Sequence, residues 1–320
     1  MKRRRWAALA LGVAAASFNS GCRSCEREPT KAGPPTSTIE LAVTVDDLPV
    51  RIAETPEALA EEQEVVKGFL SAFAKHRVPA VYGFVNGKRV DETPERFPLL
   101  EAWRDAGHRL GNHTYAHGKL SNSAAYIADI DRGEEVLRKL YGDADPQTWK
   151  MFRYPFLSEG SGEKREAVRA HLTERGYRIA PVSVDFFDYA YADAYTRCRA
   201  ANDQAALEKI ESSFVERAVE CLRGSDTATQ KEAGRPVKQV LLIHVGALQA
   251  RLLDRLLTKL EGAHAKFISL DEALKDPFLQ THSKPGGESR RLCSHRAIPH
   301  IKKLCQPPKP SEPADEPSDG

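Results

Sequence analysis

Ile39-Glu40-Leu41-Ala42-Val43-Thr44-Val45-Asp46-Asp47 is an apolar, β-branched run that ends in two adjacent acids, with Leu48-Pro49 following. Residues 39–45 read as a buried strand, of the kind that loses its polar alternation when both faces of a parallel sheet are covered. Burying a carboxylate at the end of such a strand costs several kcal/mol unless something compensates it. One acid there is explained by a capped turn. Two in succession ask for a counter-charge, and a metal ion supplies one.

Further strand-like runs lie at 79–85, 108–111, 150–154, 177–184, 238–244 and 266–270, with helical stretches between them. That alternation predicts an α/β domain with a mostly parallel sheet. Thr55-Pro56-Glu57 and Thr93-Pro94-Glu95 each set a capping hydroxyl before a first-turn proline and an acid. Ser269-Leu270-Asp271-Glu272 reads as a capping box. The residues able to do chemistry fall at or just after strand ends: Asp46 and Asp47, His113 and His117, Arg153, Asp185 and Asp188, and His244. Contributions from so many strand ends favour a barrel, whose strand C-termini converge on one face, over an open sheet that uses one crevice. Residues 190–236, charged and largely helical, exceed a minimal unit and read as an insertion between the fifth and sixth strands.

A chain of 320 residues, 41% of them hydrophobic, can hold two average domains or one larger domain with terminal segments. The net charge of +2 and the short basic runs give no argument for a nucleic-acid partner. Lys2 to Arg5 are basic, 6–18 are apolar, and small residues lead to Cys22. This is the layout of a secretory signal over 1–21, too short to span a bilayer comfortably. Gly21-Cys22 also matches the end of a bacterial lipoprotein signal, which would place lipid on Cys22 and make 22–38 a tether. Asn19 stands where that signal usually has Leu, so cleavage near 14–16 to a soluble secreted protein, or an uncleaved anchor, stay as alternatives. Arg23 after the cysteine leans toward the outer membrane. Export permits disulfides. Proximity along the chain pairs Cys198 with Cys221 and Cys293 with Cys305, although spacing alone does not define connectivity. The catalytic domain is expected over 39–280, with an extension at 281–320 whose Pro-, Glu- and Asp-rich end cannot bury enough surface to order itself.

His113-Thr114-Tyr115-Ala116-His117 sets two imidazoles at i and i+4, a spacing that on a helical turn lets both reach one ion. The sequence lacks the glutamate of the zincin motif, since Thr114 occupies that place. With one Asp of the strand-end pair, the two His make a three-ligand set that leaves room for water and substrate. The other Asp is then available as a general base. Arg153 is placed to pair with a strand-end carboxylate, and Asp188 to orient His244 as a general acid.

Taken in order, Thr44-Val-Asp-Asp-Leu-Pro49, His113-Thr-x-x-His117, Arg153-x-Pro-Phe156, Asp185-x-x-Asp188-Tyr189 and Leu241-x-x-His244 resemble the motifs of the polysaccharide deacetylase (NodB-homology) family, carbohydrate esterase family 4. The resemblance covers roughly 39–277. It implies a distorted, incomplete (β/α) barrel of about seven strands and a divalent metal, usually zinc. It also implies removal of acetyl from N-acetylated, sometimes O-acetylated, sugars. It makes Asp47, His113 and His117 the metal ligands, and Asp46 the base held by Arg153. His244 becomes the acid tuned by Asp188, with a backbone N–H at Phe156 for the oxyanion and Tyr189 as an aromatic wall. Leu48, Val245, Tyr189 and Phe156 depart from the family's usual Gly, acid, Trp and Tyr, which alters the pocket walls without removing a reacting atom. The expected partner is an acetylated glycan such as peptidoglycan or a surface polysaccharide, with the membrane reached through the lipid on Cys22. A small N-acyl or O-acetyl substrate, or a glycan-binding module without catalysis, are the alternatives.

Overall fold

A computed structural model describes residues 38–50, 55–142, 144–283 and 299–306. The signal, Cys22, most of the tether and the end of the C-terminal extension lie outside the described residues. The strands are β1 (Ile39–Leu48), β2 (Tyr82–Val85), β3 (Arg109–Asn112), β4 (Met151–Phe152), β5 (Arg178–Ile179), β6 (Val184–Asp185), β7 (Gln239–His244) and β8 (Ala265–Ile268). The helices between and after them are α1 (Pro56–Lys75), α2 (Lys88–Glu92), α3 (Phe97–Asp105), α4 (Ser123–Tyr141), α5 (Gly162–Glu174), α6 (Asp188–Ala200), α7 (Gln204–Ala233), α8 (Ala247–Gly262), α9 (Leu270–Ala273), α10 (Pro277–Ser283) and α11 (Pro299–Lys302). Among the described residues no helix is long and apolar enough to cross a membrane.

All strand pairs are parallel and run β5-β4-β3-β2-β1-β7-β6, with β8 on the first half of β1. The long β1 is shared along one edge: residues 39–42 face β8 and residues 44–48 face β2. Its burial is nearly continuous, as expected for a strand covered on both faces. The two outer strands of the path, β5 and β6, follow one another in sequence, joined only by residues 180–183. The single strand expected over 177–184 is therefore two. Its first half pairs β4, its second half pairs β7, and Pro181 between them has no N–H to give a ladder. This break is the seam of the incomplete barrel.

Helices cover the outside. Phe69 and Phe73 of α1 pack edge-on and tilted against Trp103 of α3, with ring centres 5.7–6.2 Å apart. Thr55 caps α1 at the Ala58 N–H, and Ser269 caps α9 at the Glu272 N–H. Thr93 does not cap: its hydroxyl accepts from Arg96 Nη1, and the chain enters α3 through a short 3₁₀ turn at Pro94–Arg96. Residues 190–236 hold most of α6 and all of α7. Cys198 at the end of α6 is bonded to Cys305 just past α11, not to Cys221, so neither pair expected from chain proximity forms. The cause is that α7 carries Cys221 away from the end of α6, while the returning C-terminal segment packs there.

Candidate metal and catalytic site

The strand C-termini gather the candidate residues at one end of the barrel. Asp46 and Asp47 fall within β1 as it bends out of register between Val45 and Leu48. Asp47 takes φ of 76°, which turns its carboxylate away from the ladder. The two histidines follow β3, but not on a helix as their spacing suggested. Residues 113–117 form an irregular loop in which Thr114 and His117 have φ of 62° and 54°. Phe156 and Phe187, next to the other site residues, are also left-handed. Each such residue costs roughly 1–3 kcal/mol, and their concentration here marks a geometry over-determined by its surroundings. The surroundings are visible. Asn112 Oδ1 accepts the Thr114 N–H at 2.8 Å, Thr114 Oγ1 accepts the His117 N–H at 3.0 Å, and Asn86 Nδ2 donates to the His113 carbonyl at 2.9 Å. Gly133 of α4 allows this packing, since a Cβ there would stand 2.9 Å from Asn112 Oδ1.

Three donor atoms converge. One each from Asp47, His113 and His117 lie within 4.8 Å of one another, the only such cluster among the described residues. Asp47 Oδ1 is 3.6 Å from His113 Nε2 and 3.4 Å from His117 Nε2, and it is buried with no hydrogen-bond partner. A buried carboxylate oxygen left unpaired beside two imidazoles fits a cation and little else. His113 donates Nδ1–H to the Arg153 carbonyl at 2.8 Å, which directs the lone pair of Nε2 into the cluster. Burial pushes the His113 pKa down to about 4 and lowers that of His117, so both rings are neutral at pH 7, as ligands must be. Burial raises the Asp47 carboxyl, but Arg89 and the surrounding imidazoles outweigh it and hold the pKa at about 2. Zinc suits this oxygen-and-nitrogen donor set.

Asp46 lies beside the cluster, its Oδ2 3.7 Å from His113 Nε2. The fully buried Arg153 donates from Nη1 to both Asp46 oxygens at 3.1 and 3.3 Å, from Nη2 to Thr44 Oγ1 and from Nε to the Ala180 carbonyl. On the other side, His244 Nδ1 meets Asp188 Oδ1 at 2.7 Å. Asp188 Oδ2 accepts from the His244 backbone N–H and from Gln249 Nε2, both at 2.8 Å. Burial opposes charge on the His244 ring, yet Asp188, with help from Asp47 and Asp46, holds its pKa up to about 10. Asp185 accepts the Phe187 N–H at 2.9 Å and lines the same pocket. Phe156 and Tyr189 are the exposed large apolar side chains of the described residues. Their rings lie 4.5 Å from His117 and 5.7 Å from His244, so they wall the site on two sides. The cavity enclosed, lined by both acids and all three histidines, is about 290 Å³.

The structure thus brings together every candidate site residue it describes. It adds two that the sequence reading missed, Arg89 and Gln249, and gives Thr44 of the first motif a role. Arg89 reaches Asp47 Oδ2 at 3.4 Å and donates to the carbonyls of Asp47 and Pro49. Thr44 orients Arg153, and Gln249 supports Asp188. Only Gln249 left a trace, as a polar residue in the first turn of an otherwise leucine-rich helix face.

A carboxylate–guanidinium pair and a carboxylate–imidazole pair thus flank a three-donor cluster at the C-terminal end of the parallel strands, where barrels of this kind carry their active sites. The pattern of the family described as Polysaccharide deacetylase matches residues 33–180. Over that span the chain carries the sequence pattern of the polysaccharide deacetylase (NodB-homology) family, carbohydrate esterase family 4, which it resembles. It is 31% identical over 165 residues to a peptidoglycan-N-acetylglucosamine deacetylase of Bacillus cereus, covering 51% of this chain and 50% of that one. It is 31% identical over 153 residues to a chitin deacetylase of Colletotrichum lindemuthianum, covering 47% and 52%. The chain spans about half the length of these curated relatives. Among solved structures, wild-type BA3943, a CE4 family pseudoenzyme from Bacillus anthracis, shares the fold with a TM-score of 0.51 at 17% identity, covering 76% of this chain and 67% of that one.

Proposed function

We propose that the protein is an exported, metal-dependent N-deacetylase of an acetylated glycan, with Asp46 as general base and His244 as general acid. The observation that carries this reading is the placement of two oppositely poised groups on either side of the Asp47–His113–His117 cluster. Asp46 is a carboxylate fixed by Arg153; His244 is an imidazolium fixed by Asp188. A carboxylate held by a guanidinium can accept a proton and an imidazolium held by a carboxylate can give one, which divides the base and acid roles between them.

Asp47, His113 and His117 would hold a divalent ion, with zinc the natural choice, and such an ion supplies Lewis acidity that polarises a carbonyl and acidifies water. Asp46 takes a proton from the attacking water as its oxygen bonds to the acetyl carbon. The Phe156 backbone N–H is the protein's donor toward the oxygen that becomes negative. His244 gives its Nε2 proton to the amide nitrogen as the C–N bond breaks, leaving acetate and a free amine. Positioned acid–base groups of this kind contribute about 10²–10⁴-fold in rate.

Peptidoglycan or a surface polysaccharide is the substrate class this reading favours over a small amide, because the catalytic cavity adjoins a groove of about 700 Å³. Export is supported by the basic and apolar segments before Cys22 and by the Cys198–Cys305 bond, since disulfides persist in oxidising compartments. Lipid on Cys22 would anchor the chain to a membrane of the cell envelope. The test is acetate release by the zinc-loaded protein from N-acetylglucosamine oligomers, set against short N-acyl amides. Release from the oligomers is expected; release from the small amides alone would favour the small-substrate reading.

A further inference from the structure

Glu134 is out of character with its place on α4. Its companions on the buried face of that helix are Tyr126, Ile130, Val136, Leu137 and Leu140, and its own side chain is 1% exposed. An acid so placed costs several kcal/mol unless it is paired. Arg138 Nε donates to its Oε1 at 2.8 Å and Arg175 Nη2 at 3.1 Å. Burial raises the Glu134 pKa, but Arg138 and Tyr177, with Lys150 and Arg175, outweigh it and hold the group below the ordinary carboxylate value. Ion pairing accounts for Oε1. Oε2 instead accepts the hydroxyl of Tyr177, a buried residue just before β5, at 2.9 Å.

A phenol has one proton to give. The Glu134 carboxylate has none, so the Tyr177 proton goes to Oε2 and the phenol oxygen can only accept from its other neighbour. That neighbour is Asn112 Nδ2 at 3.1 Å, which also donates to the Ile130 carbonyl at 2.9 Å. With the amide nitrogen committed to these two acceptors, Asn112 Oδ1 faces the Thr114 N–H at 2.8 Å. A reversed amide would set two donors against each other there. Thr114 and His117 are the left-handed residues of the ligand loop, and Thr114 Oγ1 accepts the His117 N–H. Four hydrogen bonds in a row thus join a carboxylate on α4 to the backbone of His117. His113, by contrast, is held by Asn86 and by the Arg153 carbonyl, so this chain bears on His117.

The geometry points to Glu134 and Tyr177 as positioning residues of the metal site: together they set the Asn112 amide and, through it, the loop that presents His117 to the ion. The inference rests on the metal-site reading and extends it to two residues outside the lining of the catalytic cavity.

The test measures the zinc affinity of the full-length protein by competition with a chromophoric chelator, with urea unfolding alongside to confirm the fold. Tyr177→Phe keeps the ring and removes the hydroxyl. It should weaken zinc binding about five- to tenfold, as the loss of one hydrogen bond does, in a protein that still folds. Tyr82→Phe is the control. It deletes another core tyrosine hydroxyl, at the start of β2 and bonded to the Thr148 carbonyl, and should leave zinc affinity unchanged. Glu134→Leu should match Tyr177→Phe, and the double variant should lose no more than either alone, because both changes break one chain. Wild-type affinity in Tyr177→Phe, or an equal loss in Tyr82→Phe, would overturn the positioning role, as would losses that add in the double variant. A wild-type protein that takes up no zinc would instead remove the metal reading itself, and the positioning role with it.

Discussion

Asp188→Asn isolates the acid half of the site. Asp188 is fully buried, and its Oδ2 accepts two N–H groups while Oδ1 faces His244 Nδ1. Asparagine can keep all three bonds, with its carbonyl toward the two N–H donors and its amide donating to Nδ1. That arrangement holds the ring neutral, because Nδ1 must then carry a lone pair. Asp188 is the largest factor keeping the His244 pKa up at about 10, against a burial that lowers it. Without it the pKa falls to or below the ordinary 6.5, and more than three pK units correspond to about 5 kcal/mol of proton affinity. At pH 8 the wild-type ring is almost wholly protonated, whereas the variant ring is charged in about 3% of molecules or fewer. Turnover at pH 8 should therefore fall at least about thirtyfold, with the loss shrinking as pH drops through 6. The assay is the pH dependence of kcat on an N-acetylglucosamine oligomer. An alkaline limb in the same place in both proteins, with an equal loss at every pH, would refute the assignment of His244 as the acid set by Asp188.

Arg89→Ala removes the guanidinium from Asp47 and should weaken zinc binding by about 10–100-fold, as loss of a ligand's supporting partner does; competition against a chromophoric chelator measures it, and an unchanged affinity would make Arg89 a bystander. Arg153→Met strands the buried Asp46 carboxylate and should destabilise the fold by about 3–5 kcal/mol in urea unfolding. His108, packed against Phe73 and Trp103, accepts the Val81 N–H and is pushed by burial down to about 4. Because the unfolded ring titrates near 6.5, the unfolded chain binds more protons below that pH. Stability is full above 6.5 and should fall by about 3 kcal/mol as pH drops to 4. In His108→Gln that acid slope should flatten, and an identical slope would place the acid sensitivity elsewhere.

The strands were legible because a buried parallel sheet writes itself as short, nearly continuous apolar runs, and β1, β2, β3 and β7 fall within a few residues of those runs. The seam was not legible. Residues 177–184 look like one strand, and only the pairing partners of its two halves show that it crosses between sheet edges. The site residues were readable because acids, arginine and histidines at strand ends are out of place in a core. The conformation that joins them was not, since His113 and His117 reach one another through left-handed loop residues locked by Asn112 and Asn86 rather than through a helical turn. Arg89 escaped notice because a cation on a short exposed helix looks like solvated surface until the fold carries it to Asp47. Disulfide pairing depended on where α11 packs, which chain spacing does not encode.

The division of labour between the two adjacent acids is the claim on which the account turns. Zinc content and acetate release, measured on the same preparations of Asp46→Asn and Asp47→Asn, test it together. Asp46→Asn should keep one equivalent of zinc and lose about 10²–10⁴-fold in turnover, whereas Asp47→Asn should lose the metal itself. Full turnover in Asp46→Asn, or loss of zinc from it alongside retention in Asp47→Asn, would contradict the account.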